Sequence, residues 1–212
     1  LCRDTEIIVH TDASQSVGKV EVDVEGLGVD LLSFSGHKMY GPKGVGGLYT
    51  RMGVDLEPIL FGESTEAGLR AGTSNVAGIV GIGQAAKLAQ HGLESSIDRV
   101  SELRDRFVRQ LRENLAGELI VHGEFAERVP GIISIRLPKV TAEDLQQWIP
   151  EICFGPAQRR SDAAALSSVS DNFGPTDHQS PYTLRIAIGW STSQDELDQA
   201  AQLIVTAIES LQ

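Results

Sequence analysis

The sequence predicts an α/β fold in two parts. Short apolar runs that read as strands each feed a polar loop, and amphipathic stretches at helical spacing lie between and after them. The texture also changes near residues 90–95, where an Ala- and Gly-rich helix gives way to one punctuated by charge. These observations place one domain over residues 1–92 and a second over residues 93–212.

Along the first part, Glu6–His10 is a short apolar run ending in Thr11-Asp12-Ala13, and a helical or turn segment runs on through Ser16. Val29–Ser35 reads as a second strand and Val45–Tyr49 as a third, entered through the punctuators Gly41-Pro42 and Gly44. Thr73–Ala89 reads as a helix whose small and apolar residues, among them Val76, Ile79, Val80, Ile82 and Ala85, suit close packing on a sheet. In the second part, Ser95–Leu115 is a long helix with Val100, Leu103, Phe107, Leu111 and Leu115 on one face. Strand-like runs follow at Leu119–Val121 and Gly131–Ile135. Thr141-Ala142-Glu143-Asp144 has the pattern of a capped helix start. Ile152-Cys153-Phe154 is a short apolar piece, and Ser167–Pro181 is a polar loop expected to be mobile. Thr183–Ile188 is a last strand and Ser193–Leu211 a last amphipathic helix.

Composition narrows the classes of function. The 212 residues hold 18 Lys and Arg against 29 Asp and Glu, a net charge of −11. A surface for nucleic acid normally needs a basic stripe, so nucleic acid is not the expected partner. Apolar residues make up 41% and charged residues 22%, ordinary globular usage. No apolar run is long enough to span a bilayer, and no secretory signal is visible. Two cysteines, Cys2 and Cys153, make neither a disulfide framework nor a zinc site, so a reducing cytoplasm is the expected location and no metal is expected. The chain opens without Met, as though partway through a helix, which suggests a segment of something longer.

The densest cluster of chemistry-bearing residues is Ser33-Phe34-Ser35-Gly36-His37-Lys38-Met39-Tyr40-Gly41-Pro42-Lys43-Gly44. A strand ends here in hydroxyls, a His and a Lys, and a Gly/Pro-rich turn follows at once. Loops at strand ends of an α/β sheet approach ligands, and a Lys held there can attack a carbonyl to form a Schiff base. The hydroxyls and the His beside it suit an anion such as phosphate. Gly36-His37-Lys38 taken alone is also the pattern of a surface lysine in a turn; the neighbouring residues give it the sharper reading.

His10-Thr11-Asp12-Ala13-Ser14-Gln15-Ser16-Val17-Gly18, the Ser33–Gly44 string and Leu69-Arg70-Ala71-Gly72-Thr73 resemble, in order and spacing, the cysteine desulfurases. These are NifS/IscS-type enzymes, related to selenocysteine lyases, within the class-V aminotransferases that use pyridoxal 5'-phosphate (PLP). The resemblance is specific from Leu1 to about Ala89. Beyond Ser95 it is looser, anchored by Thr183–Gly189. It implies a PLP fold type I architecture: part of the large sheet domain, then a small C-terminal domain. It implies that Lys38 holds PLP covalently and that Asp12 pairs with the pyridinium nitrogen, so the ring acts as an electron sink. The alternative for Asp12 is a helix N-cap. Gln15 would donate to the phenolic oxygen, Ser35 and His37 would bind the phosphate, and Thr73 would reach the phosphate of a neighbouring subunit. Arg185 would clamp the substrate carboxylate through its planar fork, the alternative being a strand Arg in a surface ion pair. The implied activity is sulfur mobilisation from cysteine with alanine as product, of the kind used in iron–sulfur cluster assembly. The implied partners are a cysteine-like amino acid, a sulfur-acceptor protein and a second copy in a dimer.

Two departures qualify the implied activity. The family's sulfur acceptor is a Cys on a loop of the small domain, whereas Cys153-Phe154-Gly155-Pro156-Ala157-Gln158 places Gln158 there. Cys153, in its apolar run, is expected to be a buried and inert thiol. Cys2 has no expected role. The family also has a further N-terminal part carrying a phosphate-binding loop and a ring-stacking His, so a complementary N-terminal segment or chain is expected. The Gly-rich stretch before the Arg-x-Gly-Thr pattern is altered to Gly62-Glu63-Ser64-Thr65-Glu66. Three readings therefore stand: a desulfurase-like enzyme, another PLP-dependent lyase or aminotransferase that needs no protein thiol, and a degenerate relative that only binds.

Overall fold

The computed structural model describes residues 2, 5–115, 119–137, 140–153, 155–156 and 182–211. The described chain forms two compact units, Leu1–Ser95 and Ser96–Gln212. Among these residues no helix is long and apolar enough to cross a membrane.

In the first unit, β1 (His10–Asp12) and β2 (Leu31–Ser35) pair in parallel, and β3 (Gly46–Thr50) pairs antiparallel on the other side of β2. The register sets Asp12 opposite Ser33 and Ser35 opposite Gly46. Between β1 and β2 lies the short helix α1 (Val24–Leu27), capped by Asp23, whose side chain accepts from the Glu25 N–H. A two-stranded hairpin, β4 (Ser64–Thr65) with β5 (Arg70–Ala71), follows.

The first strand differs from expectation. Glu6–His10 was the predicted span, but the Val9 N–H donates to the Asp30 carboxylate at 2.9 Å, and ladder pairing begins only at His10. A strand is defined by its partner, and β2 starts at Leu31 opposite His10. Ile7 and Ile8 are accordingly exposed.

Helix α2 (Val76–Asn114) is one continuous element of 39 residues, not the two helices expected over 73–89 and 95–115. The junction Gln90-His91-Gly92-Leu93-Glu94 contains a single Gly and no Pro. One glycine costs only about 1 kcal/mol, too little to stop a helix that is already propagating. The division between the two units falls inside this helix. In the first unit its apolar residues are only partly covered: Ala85 is buried, but Val76, Ile79, Val80 and Leu88 are exposed.

The core of the first unit is small. Ala13, Val29 and Leu32 are buried, with Val9, Val17, Val22, Val24, Phe34 and Tyr49 packed around them. The second unit is better filled. Its sheet has the order β6-β7-β9-β8, with β6 (Ile120–Val121), β7 (Ile132–Arg136), β8 (Gly155–Pro156) and β9 (Thr183–Ala187) all antiparallel. Val100, Leu103, Phe107 and Leu111 of α2, and Leu115 just after it, all lie in its buried core, with Ile133 and Ile135 of β7 and Leu184 of β9. Helix α3 (Ala142–Trp148) and helix α4 (Gln194–Leu211) supply Leu145, Ile204 and Ile208. Thr141 caps α3 in a reciprocal box with Asp144, as the sequence pattern indicates.

Candidate active site

Because β1 and β2 are parallel, their C-terminal ends open on the same edge of the sheet. The two segments that follow, 13–20 and 36–43, therefore leave side by side. That edge is where open α/β sheets bind ligands, since loops there can surround a small molecule while the strands stay fixed.

Asp12 ends β1 with an exposed side chain. Its Oδ1 accepts the Ser14 N–H at 2.9 Å. The carboxyl is held below the usual carboxylate range, first by the Ser14 hydroxyl, then by the Ser14 N–H, with the His10 ring adding to both. Asp12 thus anchors the turn that follows it, where no helix forms for it to cap, and remains an anion suited to face a protonated ring nitrogen. The Ala13 N–H donates to the Ser33 carbonyl at 2.8 Å, which ties this turn to β2. The Ser35 hydroxyl donates to the Ser14 hydroxyl at 3.4 Å, so residues from both strand ends meet.

Lys38 sits on a tight 3-10 turn, Gly36–Met39, directly after β2. It is half-buried, between exposed His37 and buried Met39. The Gly36 N–H donates to the Val45 carbonyl and the Gly41 N–H to the Gly36 carbonyl, both at 2.9 Å. A side chain on Gly36 would meet the Val45 carbonyl oxygen and Ile82 of α2 at 3.0 Å, so the glycine lets β3 and α2 clamp the turn that carries the lysine. Tyr40 closes the turn at φ +66. A left-handed conformation costs a non-glycine residue about 1–2 kcal/mol, and such strain collects where geometry matters to function.

The structure therefore brings together Asp12, Gln15, Ser35, His37 and Lys38 along one sheet edge. Two expected site residues belong to other elements. Thr73 is exposed beyond the β4–β5 hairpin, ahead of α2. Arg185 belongs to the second unit, on β9 opposite Ser134 of β7. Its side chain is exposed and makes no ion pair among the described residues, so the surface ion pair offered as its alternative is absent there.

Sequence reasoning missed Ser14, which holds Asp12 and meets Ser35, although an Asp two residues ahead of a Ser is a recognisable local-turn signal. It also missed Lys19, whose Nζ donates to Gln15 Oε1 at 3.1 Å.

The expectation of a buried Cys153 is corrected. Cys153 is exposed, while its neighbour Ile152 packs against the core of the second unit. Cys2 is half-buried. Gln158 and the 167–181 loop lie outside the described residues. The altered segment at 62–66 folds as the strand β4 and the start of its turn. Glu66 and Ala67 take φ +49 and +53 there, and the Thr65 hydroxyl donates to the Arg70 carbonyl at 2.9 Å.

A sequence profile for the aminotransferase class-V family matches residues 1–199. Among curated relatives, a cysteine desulfurase IscS of Dictyoglomus turgidum is 36% identical over 217 residues, covering 100% of this chain and 54% of that protein. One of Haemophilus influenzae is 37% identical over 214 residues, again with 100% of this chain and 52% of the relative covered. A solved NifS-like protein superposes with a TM-score of 0.83 at 31% identity, over 98% of this chain and 53% of its own. A NifS-like protein from Rickettsia africae gives 0.84 at 20% identity, over 95% and 54%, a likeness of fold alone. The chain thus spans about half the length of the relatives it matches.

Enzymes of this family depend on PLP, and the donor set at the sheet edge fits that group. A carboxylate held ionised suits a ring N–H, hydroxyls and an imidazole suit a phosphate, and a primary amine on a clamped turn suits an aldehyde. The family profile and the curated relatives together establish that the chain is a member of the class-V aminotransferase family, of the NifS/IscS cysteine desulfurase type with the PLP fold type I architecture.

Proposed function

We propose that this protein takes part in a PLP-dependent, desulfurase-like reaction on cysteine, with Lys38 as the residue that holds the cofactor. The observation that carries the reading is the meeting of Asp12, Gln15, Ser35, His37 and Lys38 at the C-terminal edge of two parallel strands. When bound, PLP supplies an electron sink for charge that develops at the substrate α-carbon. Asp12 keeps the proton on the ring nitrogen, Gln15 donates to the phenolic oxygen, and Ser35 with His37 holds the phosphate. Lys38 would hold the cofactor through its amine and, as a free amine, would move a proton at the substrate α-carbon. Arg185 grips the substrate carboxylate bidentately. Thr73 completes the phosphate site of a second subunit.

The reaction is cysteine plus a thiol R–SH giving alanine plus the persulfide R–S–SH. The aligned loop carries Gln158, which cannot accept sulfur, and this favours a second reading that needs no protein thiol. There, β-elimination gives pyruvate, ammonia and sulfide from cysteine and water; transamination and selenocysteine cleavage belong to the same group. A binding-only relative would do neither. The measurement is product analysis with cysteine and an added thiol. Alanine with matching persulfide on the added thiol supports the first reading, pyruvate, ammonia and sulfide support the second, and no turnover by PLP-loaded protein leaves the binding role.

The same reading includes location and assembly. A cytoplasmic setting, a dimer and a complementary N-terminal segment or chain agree with the roles of Thr73 and Lys38. Residues 1–92 would be part of the large PLP-binding domain and 93–212 the small domain. The exposed Ile59, Leu60, Phe61, Val76 and Val80 of the first unit supply apolar surface for such company. Sedimentation is expected to show an assembly larger than one 22.8 kDa chain, and a soluble lone monomer would rule this out.

A further inference from the structure

We propose that Lys19 is a positioning residue of this site: its ammonium holds the oxygen end of the Gln15 amide and so turns the amide nitrogen toward the cofactor. The inference rests on the assignment of Lys38 and Gln15 made above.

An amide side chain has a donor end and an acceptor end of nearly equal shape, and only the donor end suits a phenolic oxygen. Something must choose between the two orientations. Lys19 Nζ lies 3.1 Å from Gln15 Oε1. An ammonium has three donors and no acceptor, so it accepts only one answer from its neighbour: the oxygen faces the lysine and the nitrogen faces away.

The backbone keeps this pair in place. Within the turn, the Ser16 and Val17 N–H groups donate to the Ala13 carbonyl at 2.9 and 3.0 Å. The Lys19 and Val20 N–H groups donate to the Ser16 carbonyl at 2.9 and 3.0 Å. These bonds wind the segment so that residues 15 and 19 face each other, four apart, as on a helix surface. Gly18 stands at φ +77, and a Cβ there would lie 2.8 Å from Met39 Cβ and 3.3 Å from Ala89 Cβ. The absence of that side chain lets the turn press directly on Met39, the residue after Lys38.

Lys19 is also unlike a lysine that only decorates a surface. It is half-buried while Gln15 is exposed. Burial, and after it the charge of Lys38, push its ammonium below the ordinary lysine range. The second cause places Lys19 within the field of the very amine that the proposed chemistry uses. A bond to Gln15 offsets part of that cost.

The test is a double-mutant cycle on the full-length protein reconstituted with PLP. Two quantities are read at fixed pH: the PLP dissociation constant, and the ratio of the two near-ultraviolet and visible absorbance bands of the bound cofactor. Lys19→Met is expected to weaken PLP retention about three- to tenfold, the range for losing one hydrogen bond, and to change the band ratio. Lys19→Arg should restore both. Gln15→Ala should mimic Lys19→Met, and the Gln15→Ala/Lys19→Met double variant should be no weaker than Gln15→Ala alone. Additive losses, or an unchanged band ratio in Lys19→Met, would overturn the inference. Lys19→Gln enters the same cycle should the Met variant fail to fold. Borohydride reduction and peptide mapping of every variant separate the two failures. An adduct on a lysine other than Lys38 sinks the underlying assignment, whereas a Lys38 adduct with additive losses sinks the role of Lys19 alone.

Discussion

Lys38→Ala is expected to abolish the borohydride-fixed PLP mass that the unaltered full-length protein carries. Reduction fixes the cofactor to whichever amine holds it, so the result is all or none and needs no turnover. Three amines compete on geometry. Lys38 sits half-buried on the turn between β2 and β3, Lys19 lies on the neighbouring turn, and Lys43 follows the Gly41-Pro42 punctuation. Lys19 is occupied by Gln15 and Lys43 is exposed beyond the clamped turn. Only Lys38 combines a fixed backbone with a place beside Ser35 and His37. Lys38→Arg should fail equally, because a guanidinium keeps its charge and does not form a Schiff base. An adduct mapping to Lys19 or Lys43 in the unaltered protein would refute the assignment.

Much of this site was legible because its residues are consecutive. A strand ending in Ser-Gly-His-Lys carries its own placement, and the parallel pairing of β1 and β2 then brings Asp12 to the same edge. The helical face from Val100 to Leu115 was legible for a similar reason: one amphipathic stripe faces one core, and every named residue on it is buried. Features that depend on long-range partners were harder to read. The start of β1 is set by Leu31 and the Asp30 carboxylate, neither of which a local apolar run at 6–10 reveals. The helix break expected near 90–95 rested on texture, and a lone Gly92 does not outweigh helix propagation. Lys19 went unread because an i, i+4 Gln–Lys pair resembles an ordinary surface pair until Gly18 is seen pressing its turn on Met39.

Labelled sulfur taken from cysteine is expected on an added thiol and not on this chain. A thiolate is a strong nucleophile near neutral pH, whereas the Gln158 amide, which the proposed alignment sets at the family's acceptor position, has no comparable reactivity. Cys153, five residues earlier, is the local rival. Its exposure removes burial as an argument against it, but exposure alone does not make an acceptor. Reactive thiols sit beside a cation, a base or a helix N-terminus that favours the thiolate. Cys153 instead follows the C-terminal end of α3, and no hydrogen bond or ion pair engages its sulfur among the described residues. The Ile152 beside it is anchored to the core, and its carbonyl accepts from Gln146 Nε2 at 3.0 Å, so the residue next to the thiol is fixed and not free to swing. Cys153→Ser should therefore leave alanine release into an added thiol unchanged, within about twofold, since serine nearly keeps the size of the side chain and no hydrogen bond or ion pair of the sulfur is lost among the described residues. Peptide mapping after transfer from labelled cysteine decides the point. A persulfide on Cys153, together with loss of alanine release in Cys153→Ser, would show that this chain keeps its own acceptor and that Gln158 marks a shifted nucleophile, not a lost one.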